Sequence, residues 1–458
     1  MTAHRRLTAR RRPHRALLAS AAAIATAGWL VGGFAAPASA DAHGSHDNHG
    51  SHDNHDSHNG HGTSGALYVS ATGASTNAGS SCDSATFSTI GAAVAAATAG
   101  ATVIVCPGTY PEDVIVNKAL TLVGYQATVD ATKLENAIQV VSSDVSIRGF
   151  TLENANGEGL LIGVDAQADA GLLTSIVLKD VSVDHVSAIN NDKGFNGTEN
   201  GNCKYPGDCG GGIHLNGVAW SHVSDSTVTG NADGILLTDD YAPNSHNVIE
   251  GNRVTDNLTE CGIVLPSHNG GAASFTATTP PVTTPPTPPT FTLTGRNPTV
   301  GGVFDNVIRD NVVLRNGTAP SPQGGASGSG IGIFAPFPGT AAYGNVVEDN
   351  YIAGNGMAGF TIHAHYPGGE DISGNKVIDN TFGTNNTGGD PFDGPPGPTN
   401  LTNTTAIAVF SFAAPITMTI TGNEIHNNAI GIWLSTLVTA HGLGGNHYHH
   451  VTTPVVTG

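Results

Sequence analysis

Asparagine recurs at five-residue intervals in four separate stretches of this chain: Asn247, Asn252, Asn257; Asn306, Asn311, Asn316; Asn345, Asn350, Asn355; and Asn375, Asn380, Asn385. Between them sit the apolar pairs Ile249 and Val254, Ile308 and Val313, Val347 and Ile352, and Val377 and Phe382. A Gly-Ile-x-Leu-like strand follows such sets, as Ile213 with Leu215, Ile235 with Leu237, Ile263 with Leu265, Ile331 with Ile333, Phe360 with Ile362, and Ile432 with Leu434. Each unit thus holds three short strands in about twenty-two residues when its loops are minimal, too few to bury its own apolar side chains, so units must stack. Coiled as parallel strands, they place like residues above one another at about 4.8 Å. Val and Ile then form inward stacks. Asn is expected at the sharp turns, where it tolerates left-handed backbone and its amide bonds along a ladder. A sandwich of hairpins would not explain an Asn interval that returns at the same place in every unit.

Composition agrees. With 61 Gly, 25 Pro and 12% charged residues, a coiled coil, a helical bundle and a wholly disordered chain are all excluded. The first forty residues carry six Arg and no acid, then an apolar run from Ala16 to Phe34 and Ala38-Ser39-Ala40, which reads as a signal peptide over 1–40. The paired arginines leave the export route open. Without that segment, 11 basic residues face 36 acidic ones, a net of −25 over 418 residues. So acidic a chain argues against nucleic acid as a partner, and no later stretch reaches membrane-spanning length. The expected location is extracellular.

Residues 41–66 are His-rich, with His43, His46, His49, His52, His55, His58 and His61 at an interval of three among Gly, Ser, Asp and Asn. No core can come from this composition. An extended chain with three residues per turn would align the imidazoles, where Zn, Ni or Cu ions could be shared; a soluble, pH-sensitive spacer is the plain alternative. Five Cys in an exported chain suggest disulfides and one leftover thiol. Cys82 with Cys106, and Cys203 with Cys209 around a short turn, are the expected pairs. Cys261 remains as a buried small hydrophobe.

Phe87, Thr89, Ile90, Val94 and Gly100, followed by Val103, Val105, Pro107, Gly108, Thr109, Tyr110, Glu112, Val114, Ile115, Lys118, Leu120, Thr121, Leu122 and Gly124, resemble the amino-terminal cap and first coils of pectate-lyase-like right-handed parallel β-helices. The resemblance implies an all-β solenoid over 67–440 with a capping helix within Thr89 to Thr98, and 441–458 as a C-terminal cap or tail. It specifies fold far more than activity. Loops interrupt the coils at Asn191 to Gly210, at a Pro-rich excursion over 269–303, and at Gly388 to Asn400. Such excursions either build a binding face or bulge stiffly.

Alignment of the Gly-Ile-x-Leu strands puts Val218, Asp240, His268, Pro336 and His365 in one column just past the strand, with His214, Asp239, Tyr241 and His363 in neighbouring ones. Asp240 and His268 then meet on adjacent coils. A carboxylate fixes an imidazole's tautomer and raises its basicity, which suits a general base. Tyr241 would move a second proton, while His214, Asp239, His363 and His365 would hold substrate. The same groups could alternatively hold a divalent cation in the groove. His363 and His365 are expected about 10 Å beyond His268, across a space for one sugar. A second column is expected to run Arg148, Lys179, Ser224, Glu250, Arg309, Glu348; its first two members would neutralise a uronate carboxylate, and the last three would form an ion-pair ladder. Pieces resembling polygalacturonase motifs, Asn231-Ala-Asp233-Gly and Asp239-Asp240, fall in a single coil, so that activity is rejected. The expectation is a carbohydrate-directed protein acting on a polysaccharide or cell-surface glycan. It is either a lyase or uronate epimerase, or a non-catalytic glycan- or surface-binding protein with a metal-loading His tail.

Overall fold

The computed structural model describes residues 65–73, 79–164, 176–192, 211–278, 290–321, 324–364, 369–391, 402–411 and 414–458. The signal-like and His-rich segments, Cys203 and Cys209, His365 and the Pro-rich run 279–289 lie outside them.

The described residues form a right-handed parallel β-helix. Three inward columns prove the stacking. In an eleven-stranded sheet, Ile213, Ile235, Ile263, Ile331, Phe360, Ile407 and Ile432 are register partners from coil to coil. A second ladder aligns Ile147, Val183, Val223, Ile249, Ile308, Val347, Val377 and Ile420. The third aligns Leu152, Ala188, Val228, Val254, Val313, Ile352, Phe382 and Ile425. All of these side chains are sealed from solvent, and burying each large aliphatic one stabilises the stack by about 1.5–3 kcal/mol.

At the corners the asparagines form the expected ladders, but not in the expected backbone. In the first two sets the left-handed residue is the one before the Asn: His246, Gly251 and Asp256 precede Asn247, Asn252 and Asn257, and Asp305, Asp310 and Arg315 precede Asn306, Asn311 and Asn316, all with φ between 55° and 66°. The residue before the Asn makes the bend, and the Asn side chain turns inward. Asn311 shows the wiring: its amide N–H and Nδ2 both donate to Oδ1 of Asn350, at 3.0 and 2.9 Å, and Nδ2 also donates to the Ile249 carbonyl. Its own Oδ1 accepts from the backbone and side chain of Asn252. Serine starts two of the ladders, with Ser221 and Ser226 hydroxyls accepting from Val181 and Val186 N–H groups, while the third begins at Asn191 and Asn231. Asn423, Asn428 and Asn446 extend them to the other end.

The amino-terminal opening is closed by a helix, Ile90–Ala96, whose Ile90, Ala93 and Val94 are buried. Its free N–H groups are capped twice: Thr89 Oγ1 accepts from Ala92, and the Glu112 carboxylate accepts from Ile90 and Gly91 at 2.8 and 2.9 Å. A Cys82–Cys106 disulfide ties the chain before this cap to the first coils. Cys261 stays a thiol, buried against Leu236 and Val264. At the far end, residues 441–458 add a last coil: His447–His449 pairs with Glu424–His426, and Thr453–Thr457 with Ile430–Leu434. The excursion after Asn269 holds the one antiparallel pairing between the described strands, Ala273–Thr278 with Thr290–Arg296. Among the described residues, no helix is long and apolar enough to cross a membrane.

Candidate functional site

Behind the eleven-stranded sheet lies a buried polar column that the repeat does not explain. The inward Ile and Leu residues fix the strands, so the residues that leave the strand ends after Leu215, Leu237 and Leu265 are carried to matching places on successive coils. Here Asp240 Oδ1 meets His268 Nδ1 at 2.7 Å, their side chains 6% and 1% exposed. A carboxylate accepts only, so the proton sits on Nδ1 and the basic lone pair of the neutral imidazole is on Nε2.

Asp240 is held from the other side by Asn216, whose Nδ2 donates to Oδ2 at 2.9 Å and whose Oδ1 accepts the Asp240 N–H at 3.1 Å. Further back, His214 Nδ1 bonds Glu158 Oε1 at 2.9 Å with both side chains wholly buried, and His214 Nε2 is 2.9 Å from the Thr238 hydroxyl. That hydroxyl is also 3.5 Å from Asp240 Oδ2, so it links the two His–carboxylate pairs. Glu158, Asn216 and Thr238 were missed in the sequence, since none belongs to the aligned column; only their strand-end position hinted at them.

Asp239 has a different office. Its Oδ1 accepts the His268 and Asn269 N–H groups, and its Oδ2 accepts Ser267 Oγ and the Gly302 N–H. Complete burial pushes its carboxyl up, against the pull of the Gly302 and His268 amides. Asp239 therefore clamps the backbone that carries His268, and both its oxygens are spent on protein donors. His214 is likewise enclosed. Both were expected to touch substrate, and burial places them behind the surface.

His363 stands two coils beyond, bonded through Nε2 to Thr361 Oγ1. One coil, that of Ile331–Phe334, runs between the coils of His268 and His363. Phe334 is in register with His363 and meets its ring edge-on at 5.2 Å, and Phe337 lies 6.3 Å from the His268 ring, centre to centre. Phe337 is 39% exposed, whereas His268 Nε2 is buried. Tyr241 is half-buried, next to Asp240 in the chain.

The second column needs correction. Arg148 is in register with Asp184, not Lys179, and the column continues through Ser224, Glu250, Arg309 and Glu348. Lys179 lies beside Ala219 in a separate five-stranded sheet, on a short strand that comes just before the ladder strand Ser182–Asp184 in the same coil. The structure thus brings neither cation to His268. Arg148 instead shares an open cleft of about 350 Å³ with Tyr125, Asp184 and His185. Of the expected ladder one rung is an ion pair, Arg309 Nε bonding Glu250 Oε2 at 2.7 Å, with Glu348 the next residue in register. Partial burial pushes the Glu250 carboxyl up, but Arg309 and His222 outweigh it and hold it below its usual range.

No protein-family model matches the chain, and no curated protein matches it in sequence. Solved structures similar to it include pectate lyase Pel9A (14% identity, 83% of this chain and 78% of that one, TM-score 0.44). An alginate lyase from Paenibacillus sp. str. FPU-7 is also similar (13% identity, 86% and 98%, TM-score 0.40). A third is the A-module of the mannuronan C-5 epimerase AlgE4 of Azotobacter vinelandii (14% identity, 80% and 92%, TM-score 0.38). What this chain has in common with them is the parallel β-helix that its own sheets establish.

Proposed function

We propose that the chain is an exported, carbohydrate-directed β-helix protein that abstracts a ring proton from an acidic polysaccharide, with His268 as base and Asp240 as its orienting partner. The observation that carries this reading is the 2.7 Å contact between them, held on one side by Asn216 and on the other by the Asp239 clamp. In such a reaction His268 Nε2 takes the C5 proton beside the uronate carboxylate. The electron pair then expels the C4 oxygen, which takes a proton from Tyr241, to leave an unsaturated sugar; alternatively Tyr241 gives its proton to the opposite face of C5 and inverts it, the tyrosinate being reprotonated from solvent. Because His268 Nε2 is buried, its surroundings must open to admit substrate. A general base of this kind contributes about 10²–10⁴-fold.

A non-catalytic, glycan-binding reading is favoured by one observation: Arg148 and the 54%-exposed Tyr125 share a cleft on a different sheet from the pair. A cation and an exposed ring suit an acidic sugar held without turnover. The test is incubation with alginate, pectate and glycosaminoglycans, following unsaturated product by ultraviolet absorbance and C5 inversion by proton NMR. The catalytic reading expects product from the native chain and a loss of at least 100-fold in H268A and D240N. Turnover that survives H268A, or its absence on every polymer, overturns it; glycan retention abolished by R148A then supports the binding reading.

A further inference from the structure

Among the described residues, two clusters bring three His, Asp or Glu side chains close enough to share one ion: Asp184, His185 and Asp225; and Glu424, His426 and His449. In the first, Arg148 is the register neighbour of Asp184, so a fixed positive charge already competes for that carboxylate. The second has no such competitor in register. Glu424 lies between Thr381 and His447, and His426 is paired with His449.

The pleat explains the convergence. Ile425 and its register partner Tyr448 face inward, so Glu424 and His426 on one coil, and His447 and His449 on the next, all face outward. The His426 and His449 rings stack at 4.5 Å and 10°. His449 Nε2 lies 2.8 Å from Glu424 Oε2, with those side chains 50% and 43% exposed. One ligand atom from each of the three residues falls within 4.8 Å of the others. In a tetrahedral zinc site, bonds of about 2.0–2.2 Å separate neighbouring ligand atoms by about 3.3–3.5 Å. The His–Glu contact therefore needs to open by about half an ångström and the stacked rings to tilt, which half-exposed side chains achieve without moving the backbone.

We propose that Glu424, His426 and His449 form a Zn²⁺ site that staples the last coil to the one before it. Two imidazoles and a carboxylate are a donor set typical of zinc with a fourth position left to water. A staple matters on the last coil, since Glu424–His426 and Ile430–Leu434 hold its strands His447–His449 and Thr453–Thr457 from one side only. An ion that binds only when both coils are docked stabilises the docked state by mass action. This site is distinct from the Asp240–His268 pair and does not depend on any activity there.

The test uses the full chain with each of the seven histidines from His43 to His61 changed to Ser, which silences the His-rich segment. Titration with Co²⁺ alone should give one bound ion per chain with the visible absorption of imidazole-bound cobalt, displaced by Zn²⁺. The H426Q/H449Q double variant should bind at least tenfold more weakly, while H441Q, elsewhere on the last turns, should be unchanged. Zn²⁺ should slow amide exchange across Tyr448 to Thr457 in the parent and not in the double variant. Circular dichroism checks that these outward substitutions leave the fold intact. Absence of a stoichiometric ion in the parent, equal binding in the double variant, or exchange indifferent to Zn²⁺ would overturn the proposal.

Discussion

Two stacks of buried polar groups run along this molecule, and they are built on opposite principles. The Asn ladders are neutral and uniform: every rung repeats the same amide-to-amide and amide-to-carbonyl bonds, so donors and acceptors match at each step. The column behind the eleven-stranded sheet is ionisable and different at every coil, passing from Glu158 and His214 to Asp240 and His268. A neutral ladder satisfies the backbone at the corners. Burying carboxylates and imidazoles is costly unless each finds a partner, and a hydrophobic pair would serve the fold at least as well. The contrast separates what the solenoid requires from what it merely carries.

Breaking a rung should have the largest effect. Asn311→Ala leaves the Asn252 backbone and side-chain N–H groups and the Ile249 carbonyl without their bonds. At about 1–2 kcal/mol for each orphaned group, the loss is about 4 kcal/mol, read as a lowered urea midpoint and as faster amide exchange in the adjoining coils. His268→Ala should cost less, about 3 kcal/mol, because it strands one buried carboxylate that keeps Asn216. Adding Asp240→Asn to that variant should restore more than half of the loss, since a neutral amide no longer needs a counter-charge. An equal or greater loss from His268→Ala than from Asn311→Ala would erase the distinction between the two stacks.

The smallest effect belongs to the exposed ladder outside both. Arg315 bonds Asp256 through two nitrogens at 2.7 and 2.6 Å, and this guanidinium holds the Asp256 carboxyl below its usual range. A carboxyl depressed in the folded state adds stability above its unfolded value, near 3.9, and loses it as pH falls through the folded one. Arg315→Gln should therefore cost about 0.5 kcal/mol at pH 7 and nothing in strong acid, with the difference shrinking at raised salt. Urea midpoints at several pH values measure both.

How much of this was legible in the sequence follows from the same contrast. The Asn interval and the Ile columns could be read because repetition multiplies a weak local signal, and the Asp240–His268 contact followed from counting outward from Ile235 and Ile263. The backbone role assigned to Asn was displaced by one residue, because a ladder amide and a left-handed corner both favour Asn and only coordinates tell which is which. Lys179 was misplaced because its coil is where a further short strand begins, the first of five that form a separate sheet, and two-residue strands leave no mark in hydrophobicity. Phe334 and Phe337, whose rings meet His363 and His268, escaped notice because they interrupt a polar column instead of continuing it. The hairpin flanking the Pro-rich run was hidden by its Thr-rich, exposed strands.

The ladder asparagines are separated by very unequal lengths of chain: 59 residues from Asn252 to Asn311, 39 on to Asn350, 30 to Asn380 and 43 to Asn423. Yet each step closes with the same bonds. Coil size is therefore decoupled from coil stacking, because the cost of closing a longer loop grows only logarithmically: the extra length falls after the eleven-stranded sheet between Asn269 and Val303, and before it between Asn316 and Ile331 and between Asn385 and Thr405. A solenoid wired in this way is a rack on which new surface can be hung one shelf at a time, with no need to rebuild the frame.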